Sequence, residues 1–88
     1  MAREQLVFNY QAVESSTPPF YRLKLMDPPI CPTDLRYERW MRDATRMQWF
    51  SEGYGYTQTP EYWEATFQAE GAWRTVMNYL DAFGWTRI

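Results

Sequence analysis

Histidine is absent from this 88-residue chain, and cysteine occurs once, as Cys31. Without histidine the chain lacks both the general base of most serine and cysteine hydrolases and the imidazole ligand of most zinc sites. A single cysteine forms no internal disulfide, which agrees with a reducing compartment but does not require one. Gly53 and Gly55 are not followed by the Gly-Lys-Ser/Thr of a phosphate-binding loop. We therefore expect a protein that is not an enzyme and that holds no metal and no cofactor.

Long apolar runs are also missing. No stretch approaches the ~20 consecutive apolar residues of a transmembrane helix, and the first residues lack the apolar segment of a signal peptide. The mean hydropathy is −0.64, and nine Lys and Arg against eleven Asp and Glu give a net charge of −2. These values predict a soluble cytoplasmic protein without membrane association, and they disfavour a generally basic nucleic-acid-binding protein.

Aromatic residues are abundant, because five Trp, seven Tyr and five Phe make up 19% of the chain. Each of these rings can bury roughly 150–250 Å². The length allows a single core of this kind, so we expect one domain over residues 1–88.

The N-terminal third alternates in hydrophobicity, as half-buried strands do. Leu6, Phe8 and Tyr10 share one side of the first alternating segment, and residues 20–26 alternate again after a Pro-rich turn. This pattern predicts a β-hairpin over about 4–26, followed by a Pro-rich linker over 27–33. An extended arm that pairs with the sheet edge of a partner would show the same alternation.

The residues after the Pro-rich linker predict two helices. A helix over about 34–52 is predicted with Thr33 as its N-cap and a glycine at its end. Thr59 and Pro60 combine a hydroxyl cap with proline at the first helical position, and the apolar pattern continues past Gly71. We therefore predict a second helix over about 60–83, ended by Gly84. The predicted fold is α+β, an N-terminal β-hairpin followed by two antiparallel α-helices, in the order β-β-α-α.

One candidate contact surface lies on the predicted second helix. Trp63 and Phe67 are spaced i, i+4 on the side opposite its core stripe, and Glu70 and Arg74 flank them. Exposed aromatic anchors of this kind are typical of protein interfaces. The alternative is that the hairpin or the C-terminal segment covers both rings.

The other candidate surface is a basic face on the predicted first helix. Guanidinium groups in such a row can bind phosphates or carboxylates. Glu38 and Asp43 are interleaved with them, so a solvated, salt-bridged face is the alternative. The basic face consists of Arg36, Arg39, Arg42 and Arg46.

Missing catalytic groups together with an aromatic patch indicate a binding protein. We expect a non-enzymatic protein-interaction module, acting as a binder, inhibitor or accessory subunit of a larger protein, or through self-association. Such a module would fit the type of small aromatic-rich inhibitor found in phages and mobile elements, although no residue identifies that origin. The alternative function is a nucleic-acid-binding accessory protein that uses the basic face with stacking aromatic residues.

Overall fold

The computed structural model describes residues 7–16, 19–50 and 56–88. Strands and helices alternate along these residues. Their order is β1 (Asn9–Ser16), β2 (Pro19–Met26), α1 (Tyr37–Trp49), β3 (Tyr56–Gln58), β4 (Tyr62–Phe67), α2 (Glu70–Ala82) and β5 (Thr86–Arg87).

All of these strands belong to one mixed sheet with the order β3-β4-β2-β1-β5. β1 pairs antiparallel with β2, β2 with β4, and β4 with β3. β5 runs parallel to β1 at the opposite edge. The predicted order β-β-α-α is therefore wrong, because a hairpin followed by two helices has neither the second strand pair nor β5.

The predicted helix over 60–83 is the main source of this error. Residues 62–67 form β4, in which Trp63, Ala65 and Phe67 are buried and the residues between them are partly exposed. Helix α2 begins at Glu70. β4 lies between β3 and β2, so it makes backbone hydrogen bonds on both sides, and such tertiary pairing overrides local helix propensity.

Thr59, Pro60 and Glu61, which predict the start of a helix, form a turn before β4 instead. The Thr59 hydroxyl accepts hydrogen bonds from the N–H groups of Glu61 and Tyr62 at 3.2 and 3.1 Å. The Thr59 N–H in turn donates to the Tyr62 carbonyl at 2.8 Å. A threonine hydroxyl closes a turn with the same bonds that it uses to cap a helix. This turn connects β3 to β4.

The predicted first helix is shorter than expected and begins differently. The N-cap is Arg36 rather than Thr33, and the Asp34 carboxylate accepts the Arg36 N–H at 2.8 Å. The predicted glycine end at Gly53 and the predicted strand start at Glu4 lie outside the described residues. β1 pairs with β2 and β5 of its own chain, which decides against the alternative of an arm that waits for a partner's sheet.

Both helices pack against the same side of the sheet. The Trp73 ring of α2 stacks on Tyr21 of β2 at 5.2 Å and is tilted against Phe67 of β4 at 5.6 Å. The resulting core combines one face of the sheet with one stripe of each helix. Its buried residues are Phe8, Tyr10, Leu23, Leu25, Trp40, Ala44, Met47, Trp63, Ala65, Phe67, Trp73, Val76, Leu80 and Trp85.

Helix α2 ends just before Gly84, as the sequence predicts. Gly84 adopts a φ of 83°, and the Trp85 N–H donates to the Leu80 carbonyl at 2.9 Å. Glycine takes this left-handed conformation without strain, which lets the chain reverse. Trp85 thereby packs against Phe8 at 5.0 Å, and β5 follows beside β1. Neither helix in the described ranges is long and apolar enough to cross a membrane.

A substitution of Phe67 distinguishes the observed strand β4 from the predicted helix over residues 62–67. We expect Phe67→Ala to lower the free energy of unfolding by about 3–5 kcal/mol, because a fully buried ring leaves a cavity. Urea denaturation followed by tryptophan fluorescence measures this change. The matched control is Trp49→Ala, since Trp49 is 74% exposed and its loss changes stability by about 0.5 kcal/mol or less. Equal small losses in both variants would contradict the burial of β4.

Candidate functional site

The predicted aromatic patch is not on the surface. Trp63 and Phe67 are 2% and 0% exposed, so the expectation of an exposed docking patch is wrong for both. They alternate along β4 and point toward the helices, where Trp63 stacks on Tyr56 of β3 at 5.4 Å. Glu70 and Arg74 are exposed on α2 and form an ion pair of 2.7 Å with each other.

The basic face is largely held by contacts within the protein. The Arg39 guanidinium lies 4.7 Å above the ring of Phe8 and 3.9 Å from the Asp43 carboxylate. Arg36 lies 3.5 Å from the Asp34 carboxylate. Arg42 is exposed and forms no ion pair within the described ranges. The basic residues of α1 therefore do not form one continuous surface that is open to a ligand.

Arg46 connects the two helices. Its guanidinium donates a hydrogen bond of 2.6 Å to the Tyr79 hydroxyl and lies 5.5 Å above the Tyr79 ring. Burial raises the pKa of the Tyr79 hydroxyl above its ordinary value, while the hydrogen bond from Arg46 acts in the opposite direction. At neutral pH the tyrosine therefore remains an uncharged acceptor that holds Arg46 against α2.

A different surface remains uncovered, and we call it the open face. It is the side of the sheet opposite the helices, and no element in the described part of the chain packs on it. By strand register it consists of Asn9, Gln11, Val13, Ser15, Phe20, Arg22, Lys24, Met26, Thr57, Tyr62, Glu64 and Thr66.

Charged and aromatic side chains meet at the centre of the open face. The Glu64 carboxylate lies 3.9 Å from Arg22 Nε and 3.8 Å from Lys24 Nζ. Lys24 Nζ lies 4.4 Å from the centre of the Tyr62 ring, and the Arg22 guanidinium lies 5.6 Å from that of Phe20. Two cations thus share one carboxylate, and each also covers an aromatic ring.

Two grooves flank the sheet. The polar groove, of about 400 Å³, lies between α2 and the β1 edge. Its charged groups bind each other or neighbouring protein atoms, since Trp73 Nε1 donates to Glu14 at 2.7 Å and Arg87 Nη2 to the Ala12 carbonyl at 3.3 Å. The apolar groove, of about 420 Å³, lies between the segment after β2, the start of α1 and the β3–β4 turn.

The sequence does not predict the open face as a surface, although the hydrophobic alternation of β2 indicates part of it. The alternation in residues 20–26 puts Arg22 and Lys24 on the side opposite Leu23 and Leu25. Whether that side is covered depends on where the helices pack. Glu64 falls within the predicted second helix, whereas in β4 it faces Arg22 and Lys24.

No protein-family model, curated protein or solved structure matches this chain. Among the residues that the structure describes, no group of three or more Asp, Glu, Cys or His side chains is placed to hold a metal ion. The function must therefore be inferred from the surfaces of this chain alone.

Arg46 and Arg42 provide a matched test of the basic face. Arg46→Ala should lower the free energy of unfolding by about 1–2 kcal/mol, because it removes a hydrogen bond and a cation–π contact to Tyr79. Arg42→Ala should change it by about 0.5 kcal/mol or less, since Arg42 is exposed. Chemical denaturation at neutral pH gives both values. Equal stabilities for the two variants would show that Arg46 is not held by α2.

Proposed function

We propose that this protein is a non-enzymatic interaction module that acts by occupying a surface of a larger protein, and that the open face is its contact surface. The observation that carries this proposal is the one-sided covering of the sheet in the described residues. The single cysteine and the lack of a membrane-spanning helix in those residues support action in the cytoplasm.

The composition of the open face suits a protein interface. Val13 is 48% exposed and lies directly opposite Arg22 in the β1–β2 register. Phe20, Met26 and Tyr62 are partly exposed on the same face. Apolar and aromatic groups surrounded by polar side chains are typical of protein interfaces, where a few aromatic or arginine side chains contribute most of the binding energy.

The sheet also holds these side chains in fixed positions. Lys24 and Glu64 are direct neighbours in the β2–β4 register, and Met26 and Tyr62 are the next pair on the same face. Side chains held in place before binding lose little conformational entropy on association. A preorganised surface of this kind favours a folded protein partner.

Charge indicates which partner surface fits. Arg22 and Lys24 share the single carboxylate of Glu64, so the centre of the open face is positive although the whole protein has a net charge of −2. An acidic surface on the partner would approach and orient correctly against this centre.

A nucleic-acid-binding accessory protein is the second candidate function. The observation that favours it is the pairing of cations with rings on the open face, Lys24 with Tyr62 and Arg22 with Phe20. Stacking aromatic residues beside cations are the usual elements of single-stranded nucleic-acid binding. The basic face of α1 offers less, because Arg39 and Arg46 are engaged within the protein.

Two charge reversals test the proposed surface. Tagged wild type, Arg22→Glu and Arg42→Glu are used to capture proteins from a lysate of the source cell, and circular dichroism confirms that each variant is folded. Both substitutions change the net charge equally, but Arg22 lies on the open face and Arg42 on α1. We expect Arg42→Glu to recover the same protein as wild type and Arg22→Glu to recover it at least about tenfold less well.

Other outcomes point elsewhere. Equal recovery by Arg22→Glu would rule out the open face as the contact surface. Recovery that nuclease abolishes, and that falls steeply with rising salt, would support the second candidate function.

A further inference from the structure

The apolar groove has rigid walls. Pro28 and Pro29 are buried along one side, and proline fixes its own φ. On the other side the Thr59 hydroxyl closes the turn that contains Pro60. The Asp27 N–H donates to the Glu61 carbonyl at 3.0 Å and ties the two sides together. Contacts within the fold therefore fix the two sides of the groove relative to each other.

The interior of the groove is apolar and open to solvent. Tyr37 and Met41 of α1 line it and are partly exposed, and Ile30 on its border is 85% exposed. Leu35, in the segment that leads into α1, is 67% exposed. Exposed aliphatic side chains next to an apolar groove indicate a surface that another molecule covers.

Exposed carboxylates border the groove. Asp27, Glu38 and Glu61 are exposed, and each is adjacent in the chain to a residue that lines the groove. None of them forms an ion pair within the described residues. Two guanidinium groups are likewise adjacent in the chain to lining residues, those of Arg36 and Arg42, and Arg36 lies 3.5 Å from the Asp34 carboxylate. Three carboxylates thus border the groove against one guanidinium, that of Arg42, that forms no ion pair among the described residues. The net charge of the border is negative, in contrast to the positive centre of the open face.

We propose that the apolar groove binds a segment of a partner protein in which bulky apolar side chains are flanked by lysine or arginine. The apolar side chains of the segment would be buried between the prolines and Met41, away from water. The flanking cations would face the carboxylates of Asp27, Glu38 and Glu61. Complementary charge selects such a segment over an acidic one. This is a second contact surface, separate from the open face, and it goes beyond the proposed function.

Peptide binding to the purified full chain tests the proposal. The probe is a fluorescein-labelled, amidated peptide with a central Leu-Phe pair flanked on both sides by lysines, followed by fluorescence anisotropy. One control peptide carries glutamate in place of lysine, and the other carries serine in place of the Leu-Phe pair. We expect the lysine-flanked apolar peptide to bind at least about tenfold more tightly than either control. Equal binding of the serine peptide would show charge attraction alone and overturn the proposal.

Charge reversal at the border locates the site. Glu61→Lys should weaken binding of the lysine-flanked peptide by about threefold to tenfold and strengthen binding of the glutamate-flanked peptide. The matched control is Asp81→Lys, which reverses an exposed carboxylate on α2 and should leave both affinities unchanged. Equal effects of Glu61→Lys and Asp81→Lys would mean that the peptide does not occupy the groove.

The two proposals fail separately. Arg22→Glu should bind the lysine-flanked peptide as wild type does, because it alters only the open face. Absence of peptide binding by wild type would overturn the groove proposal and leave capture through the open face unaffected. Loss of peptide binding in Arg22→Glu would likewise contradict a separate groove site.

Discussion

The antiparallel pairing of β2 with β4 is the interaction on which the rest of this structure depends. It joins two strand pairs that are separated in the chain by α1, and it places Leu23 and Leu25 beside Ala65 and Trp63 in one buried layer. A hairpin of β1 and β2 alone would be marginally stable in water. With β4 in place, the sheet is wide enough for α1 and α2 to pack on it, and Trp40 and Trp73 complete the core.

A buried carboxylate stabilises the contact between α1 and the C-terminal segment. Asp43 is 2% exposed and accepts a hydrogen bond of 2.8 Å from Trp85 Nε1, while the Tyr79 hydroxyl donates to it at 3.4 Å. A buried charge is tolerated when its hydrogen bonds are satisfied. This contact ties α1 to the segment after α2, so that β5 lies against β1. The guanidinium groups of Arg39 and Arg46, which belong to the predicted basic face, contact Asp43 and Tyr79 and so stabilise the fold.

Since both helices cover one side of the sheet, the surfaces left for function differ in character. The open face has two cations around Glu64, whereas the apolar groove is bordered by carboxylates that form no ion pair among the described residues. A chain of this size therefore presents two separate surfaces of opposite charge. Under the two proposals, electrostatic complementarity would favour a different partner for each surface.

Local signals in the sequence determined the features that depend on neighbouring residues. The alternation of residues 20–26 indicated β2, and Gly84 indicated the end of α2. Residues 62–67 were ambiguous, because Tyr62, Ala65 and Ala69 fit a helical period while Trp63, Ala65 and Phe67 fit a strand period. Only the tertiary structure decided between them, since the backbone partners of β4 are Tyr21–Met26 on one side and Tyr56–Gln58 on the other. The open face follows from the same choice, because exposure of Arg22 and Lys24 depends on which side of the completed sheet the helices cover, and no local pattern contains that information.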